Sequence, residues 1–231
     1  MQTAANKYPF FAYGLPTMKI TDASVCPYPD GDSTLARMAL EAAELGFDSI
    51  VAIGEGGHRV PGLEVLRGTV ISASSQKDVI RQVRGPVARR ADVVFVNAGD
   101  TSFNRAIVSV KEVHVVRNIH NARRNAFDHV AARSAAEHSV AVDVSMAPII
   151  QYRGTRRQRV LQRYADILSL QRRYGFPLTI SSGACSILGQ RPVRDVRGLC
   201  ALFGMTGGEV SEALGSIGRL IEPERPVRVV R

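Results

Sequence analysis

The sequence predicts an α/β protein in which one barrel of mainly parallel strands is surrounded by helices, and three observations carry that expectation. Short apolar, β-branched runs alternate with amphipathic stretches along the chain, the order of a parallel sheet with helical crossovers. The cores SIVAI, VVFVN, VHVV, VAVDV and LTI are nearly continuously apolar, as strands covered on both faces are. A chain of 231 residues with 45% hydrophobic content suits one large core better than two small ones. Strands in this order fit a closed or nearly closed barrel, with an open doubly wound sheet as the alternative.

Residues 1–17 match neither pattern and read as an N-terminal extension, leaving 18–231 as a single barrel domain. Strands are expected at Met18–Val25, Asp48–Ile53, Glu64–Ser72, Asp92–Asn97, Val113–Val116, Ser139–Ser145 and Leu178–Ser181. Between them, Asp32-Ser33 offers an N-cap for a helix to Leu45 that turns Leu35, Met38, Ala39 and Ala42 inward and ends at Gly46. Residues 125–138 place Phe127, Val130, Ala131, Ser134 and Ala135 on one face, and residues 155–174 do the same for Val160, Leu161, Tyr164, Ile167 and Leu168. Pro192 suits a first helical position ahead of Val193, Val196, Leu199, Cys200 and Phe203. Thr206 and Glu209 form a capping box for a last helix that buries Val210, Leu214 and Ile217.

The net charge of +9 is unevenly spread. Residues 1–66 carry four basic side chains against eight acidic ones, so the remainder holds 26 against 13. Such asymmetry points to a polyanion-binding surface. Only Lys7, Lys19, Lys77 and Lys111 are lysines; the rest of the basic set is arginine, whose planar fork suits phosphate contacts and base stacking. Codon bias accounts for that composition equally well, but not for the clustering.

Several functions are disfavoured. No apolar run has the roughly 18–20 residues of a membrane helix, and the first residues lack the charged start and apolar stretch of a secretory signal. Cys26, Cys185 and Cys200 form no CxxC pair, which argues against a zinc knuckle or disulfide framework and for a reducing cytoplasm; Cys200 reads as core. His58, His114, His120, His129 and His138 are scattered without HxH or HExxH spacing, so a hydrolytic metal site has weak support. The run Gly54-Glu55-Gly56-Gly57-His58 reads as a surface loop or a phosphate cradle, without the spacing of a known nucleotide motif.

What recurs near the carboxyl ends of the strands is arginine: Arg67, Arg105, Arg117, the set Arg156, Arg157 and Arg159, and Arg191. Only Asp166 offsets the seven arginines between Arg153 and Arg173. Cations at a helix N-terminus oppose its dipole unless an anion sits there. A solvated charged face is the bland reading, and nucleic-acid contact the functional one.

The stretches DHVAARSAAEHSVAVDVSMAPIIQYRGTRRQRVL and LTISSGACSILGQRPVRDVRGLCALFGM, with TDASV, ELGFDSIVAI, Asn104-Arg105-Ala106 and KEVHVV, resemble archaeal ribonuclease P protein component 3, equivalent to the thirty-kilodalton eukaryotic subunit. The similarity runs from about Met18 to Leu220. It implies a TIM-like α/β barrel related to the polymerase-and-histidinol-phosphatase (PHP) type. The implied role is a subunit of ribonuclease P, a tRNA-processing endonuclease. This chain would bind the RNase P RNA and support 5′ maturation of precursor tRNA, with the cleavage chemistry in the RNA and its Mg ions. Protein component 2 and the other protein subunits are the implied partners, and no catalytic or metal residue is expected here. By matching position, Arg67, Arg105, Arg117, Arg156, Arg157 and Arg191 are the expected RNA contacts. The chain departs from the family in having His114 where relatives commonly carry aspartate, and arginine where they often carry lysine. A metal-dependent phosphoesterase on a PHP-like barrel is the alternative.

Overall fold

The computed structural model describes residues 18–54, 56 and 59–221. The expected extension over 1–17, and Glu55, Gly57 and His58 of the glycine-rich loop, lie outside the described residues. Strands β1 (Thr21–Val25), β2 (Ser49–Ile53), β4 (Leu63–Ile71), β5 (Val93–Asn97), β6 (Val115–Arg117), β7 (Ala141–Ser145) and β8 (Leu178–Ser181) follow one another as parallel neighbours. The two-residue β3 (Arg59–Val60) pairs antiparallel with β4. A parallel bridge from Val25 to Ala184 joins the two ends of the series, with Cys26 N–H to the Ala184 carbonyl at 2.8 Å and Gly183 N–H to the Ser24 carbonyl at 3.0 Å. The sheet therefore curls into a barrel, and the open doubly wound alternative fails.

Helices α1 (Leu35–Glu44), α2 (Gln76–Val83), α3 (Thr101–Ile107), α4 (His129–Glu137), α5 (Ala147–Gln151), α6 (Gly154–Tyr174), α7 (Val193–Ala201), α8 (Gly207–Leu214) and α9 (Ser216–Ile221) accompany the strands. Two apolar layers result. The larger lies between strands and helices; the smaller fills the barrel with Ala23, Val51, Val93, Phe95, Val115 and Ala141, and Ile217 from α9 closes its lower end. Gly68 is an interior position on β4 because a Cβ there would meet Val51, Ile53 and Phe95 side chains at 2.8–3.1 Å.

Several local expectations need correction. Thr34, not Asp32 or Ser33, caps α1, its side chain accepting from Arg37 N–H. α4 starts at His129 because the Asp128 side chain caps it; Ala131, Ala132 and Ala135 face inward and Val130 is exposed. Pro192 is the N-cap of α7 rather than its first residue. The capping box of Thr206 and Glu209 forms as expected, but the last helix breaks at Gly215 into α8 and α9. α2, α3 and α5 are additional short helices of five to eight residues.

Candidate functional site

Above the apolar plug, the inward residues of the same strands turn polar. Asp143 on β7 accepts from Thr179 Oγ1 at 3.0 Å and Ser181 Oγ at 2.8 Å, both on β8. Burial pushes its carboxyl up, while the Arg117 guanidinium and these two hydroxyls pull it back. Asp22 sits at the barrel seam, where its Oδ1 accepts from Ser182 N–H at 2.8 Å and Ser24 N–H at 3.2 Å. Its Oδ2 is buried without a hydrogen-bond partner among the described residues, and desolvation raises the carboxyl to about 6. Ser72, Asn97 and Asn118 form a rung across the ends of β4, β5 and β6, with Asn97 Nδ2 to Ser72 Oγ at 2.6 Å and Asn118 Nδ2 to Asn97 Oδ1 at 2.9 Å. Asn118 holds φ 60°, a left-handed conformation that asparagine tolerates, and the chain turns out of the barrel there.

Arg117 ends β6 in register with Asn97, its guanidinium 5.8 Å above the centre of the Phe95 ring. Its Nε is buried and lacks a partner among the described residues. Next to it, the Tyr164 hydroxyl lies 3.0 Å from the Ser145 carbonyl and 3.2 Å from His120 Nδ1. Burial, then the Arg117 and Arg156 charges, lower His120 to about 4, so the imidazole is neutral near pH 7. Arg117 and Arg156 both stand close enough to His120 for their charges to act on it.

α6 supplies the rest of that charge. Gly154 opens the helix at φ +53°, and no side chain caps it. Arg156 stacks on the Tyr152 ring with its guanidinium carbon 3.6 Å from the ring centre. Arg157 has a buried Nε without a partner among the described residues. Arg191 lies on a neighbouring groove of about 560 Å³ that Asp30, Asp32 and Cys185 also line, where it donates to the Leu188 and Gln190 carbonyls at 2.7 and 2.6 Å. A second groove, of about 690 Å³, runs along α6 between Arg163 and Arg173 on one side and Arg123 and His129 on the other.

The other two expected contacts lie apart. Arg105 on α3 is ion-paired with Asp128, the cap of α4, and so ties two helices together. Arg67 points away from the barrel axis, because its neighbour Gly68 faces inward, and donates to the Gly56 carbonyl at 2.9 Å. His114, the departure from the family pattern, accepts from Val94 N–H through Nδ1 at 3.1 Å and links β6 to β5.

Sequence reading missed Asp143, Asn97 and Tyr152. A signal for the first was available, since an aspartate and a serine interrupt the apolar run AVDVS at inward positions. Among the described residues no three His, Cys, Asp or Glu side chains are grouped as metal ligands.

The family model for the RNase P subunit p30 matches residues 19–226. The chain belongs to that family. Among p30-family relatives, the ribonuclease P protein component 3 of Methanothermobacter thermautotrophicus is 35% identical over 204 residues, covering 81% of this chain and 82% of the relative. That of Methanococcoides burtonii is 31% identical over 217 residues, covering 91% and 86%. A chain in the cryo-EM structure of archaeal ribonuclease P with mature tRNA superposes with a TM-score of 0.70 at 18% identity, covering 87% of this chain and 89% of its own. The histidinol phosphate phosphatase of Lactococcus lactis, solved with zinc, L-histidinol and phosphate, reaches 0.57 at 11% identity, covering 81% and 95%. At these identities the two structures bear on the fold alone, and they place this p30-family barrel beside a PHP-type phosphatase.

Proposed function

We propose that this chain serves as a protein subunit of ribonuclease P and binds the enzyme's RNA through the mouth of its barrel, supporting 5′ maturation of precursor tRNA. Family membership supports the assembly; the approach of Arg117 and Arg156 to His120, together with buried Nε groups of Arg117 and Arg157 that lack a partner among the described residues, is the observation that carries the choice of surface. Unsatisfied guanidinium donors beside an uncapped helix start favour phosphate oxygens, which position a protein on RNA without reading its sequence. Arg191 would extend this binding face along the adjacent groove. Arg105 is a weaker candidate because it is ion-paired with Asp128; Arg67 has a buried Nε without a partner among the described residues, but it points away from the barrel axis and donates to the Gly56 carbonyl.

In this reading the RNA and its magnesium ions carry the cleavage chemistry, and the chain contributes no catalytic or metal-ligating residue. Protein component 2, other protein subunits and, indirectly, precursor tRNA are its partners, in the cytoplasm. Among the described residues no helix is long and apolar enough to cross a membrane.

Replacing Arg156 and Arg157 together by alanine tests the surface. Each arginine taken off a phosphate flattens the dependence of log affinity on log salt by roughly 0.7–0.9, so about 1.5 is expected for the pair, measured by titration of the RNA at several salt concentrations. The fold should survive, because the buried face of α6 begins at Val160. An unchanged slope in a folded variant would make these arginines a solvated face. The purified chain alone should leave precursor tRNA intact; cleavage abolished by an Asp22 substitution would favour the phosphoesterase alternative.

A further inference from the structure

Two cysteines that the sequence keeps far apart meet at the barrel seam. The residue after each partner of the Val25–Ala184 bridge is a cysteine, Cys26 on one side and Cys185 on the other. Cys26 N–H donates to the Ala184 carbonyl at 2.8 Å, and Asp32 N–H donates to the Cys185 carbonyl at 2.8 Å. Gly31 packs where the two backbones converge: a Cβ there would stand 2.1 Å from the Cys26 carbonyl oxygen and 2.3 Å from that of Cys185. Paired strands run about 4.7–4.9 Å apart, inside the roughly 4.4–6.8 Å between α-carbons that a disulfide spans. The Cys185 thiol stands close enough to raise the Cys26 thiol, and its Sγ lies 4.0 Å from the Gly183 carbonyl oxygen. Cys185 is exposed and Cys26 half-buried, while Cys200 is buried in the outer core.

We propose that Cys26 and Cys185 form a modification site, a dithiol that a small-molecule disulfide oxidises to an intramolecular disulfide stapling the two ends of the barrel sheet. The exposed Cys185 thiolate attacks one sulfur of the reagent, forming a mixed disulfide and releasing one thiolate. Cys26 then loses its proton to solvent and attacks the Cys185 sulfur, which expels the second thiolate. Two electrons pass from the protein dithiol to the reagent, which leaves as two thiols. Burial, and then the adjacent Cys185, push the Cys26 thiol up to about 11, so the exposed cysteine reacts first. The nearby Arg117 charge pulls the other way and assists the closing step. The staple encloses nearly the whole barrel in one covalent loop and restricts the unfolded chain more than the folded one.

The test uses the full chain with oxidised glutathione, followed by quenching, denaturation, alkylation and mass analysis. One alkylatable thiol, Cys200, should remain instead of three, with a peptide linking Cys26 to Cys185. The melting temperature should rise by about 5–10 °C and fall back on reduction. A Cys200→Ser chain should behave alike, whereas Cys26→Ser should stop at a glutathione adduct on Cys185 with no thermal gain. Three outcomes would overturn the proposal: arrest of the native chain at that adduct, a cross-link that forms no more readily in the native chain than in urea, or a disulfide that leaves the melting temperature unchanged.

Discussion

The lower and upper halves of the barrel are built from the same strands and differ in almost every other respect. Below, Val51, Val93, Phe95, Val115 and Ala141 interlock around Ile217, and the buried hydroxyls of Thr21 and Ser49 at that end satisfy each other at 2.6 Å. Above, Asp143, Thr179, Ser181, Asn97 and Arg117 take the next inward positions. Apolar burial is non-directional and adds stability with area. Buried polar groups need partners, and those left without one, such as Arg117 Nε and Asp22 Oδ2, are open to a ligand or to titration. Apolar packing fills one end, and buried polar atoms without a partner among the described residues gather at the other.

The severest challenge to this contrast is Ile217→Ala in the plug, which should cost about 2–5 kcal/mol in urea unfolding, with the salt slope of RNA binding unchanged in the folded fraction. A salt slope that fell together with stability would show that the two halves are not independent.

Titration probes the polar half next. Asp22 is raised from 3.8 to about 6. The folded chain then holds a proton that the unfolded chain releases, so this stability is full below the unfolded value and lost as pH rises through 6, about 3 kcal/mol in all. His120 is lowered from 6.5 to about 4, so the unfolded chain protonates first and stability is lost as pH falls between those values. The two slopes oppose each other between about pH 4 and 6. Asp22→Asn removes the first and exposes the second: its urea midpoint should drop more steeply than that of the parent chain as pH falls from 6.5 to 4. Parallel profiles would mean that Asp22 does not titrate in this window.

Gly68→Ala probes the border between the halves. The added methyl would press on Val51, Ile53 and Phe95, and overpacking of this kind costs about 1–3 kcal/mol, measurable by thermal unfolding. The smallest effect on stability belongs to Arg117→Gln at the mouth. Its melting temperature should hold, and its salt slope for RNA should flatten by roughly 0.7–0.9 if the guanidinium meets a phosphate.

Features that depend on neighbours along the chain were readable in the sequence. Apolar runs marked every strand of the parallel series to within a few residues, the period of α6 was legible from Val160 to Leu168, and the Thr206–Glu209 capping box formed where its spacing put it. A strand core or a cap is a local pattern, and burial favours it wherever the element docks. The arginines were legible as a charge imbalance recurring near the strand ends, but their partners were not, because a long flexible side chain takes its direction from whatever packs beside it. Folding in three dimensions was needed to bring Arg105 to Asp128, to set Arg117 and Arg156 around His120, and to return β8 to β1. That last closure set Asp22 against Ser182 and Cys26 against Cys185. Such pairings join residues from opposite ends of the chain, and they exist only because a twisted parallel sheet closes on itself.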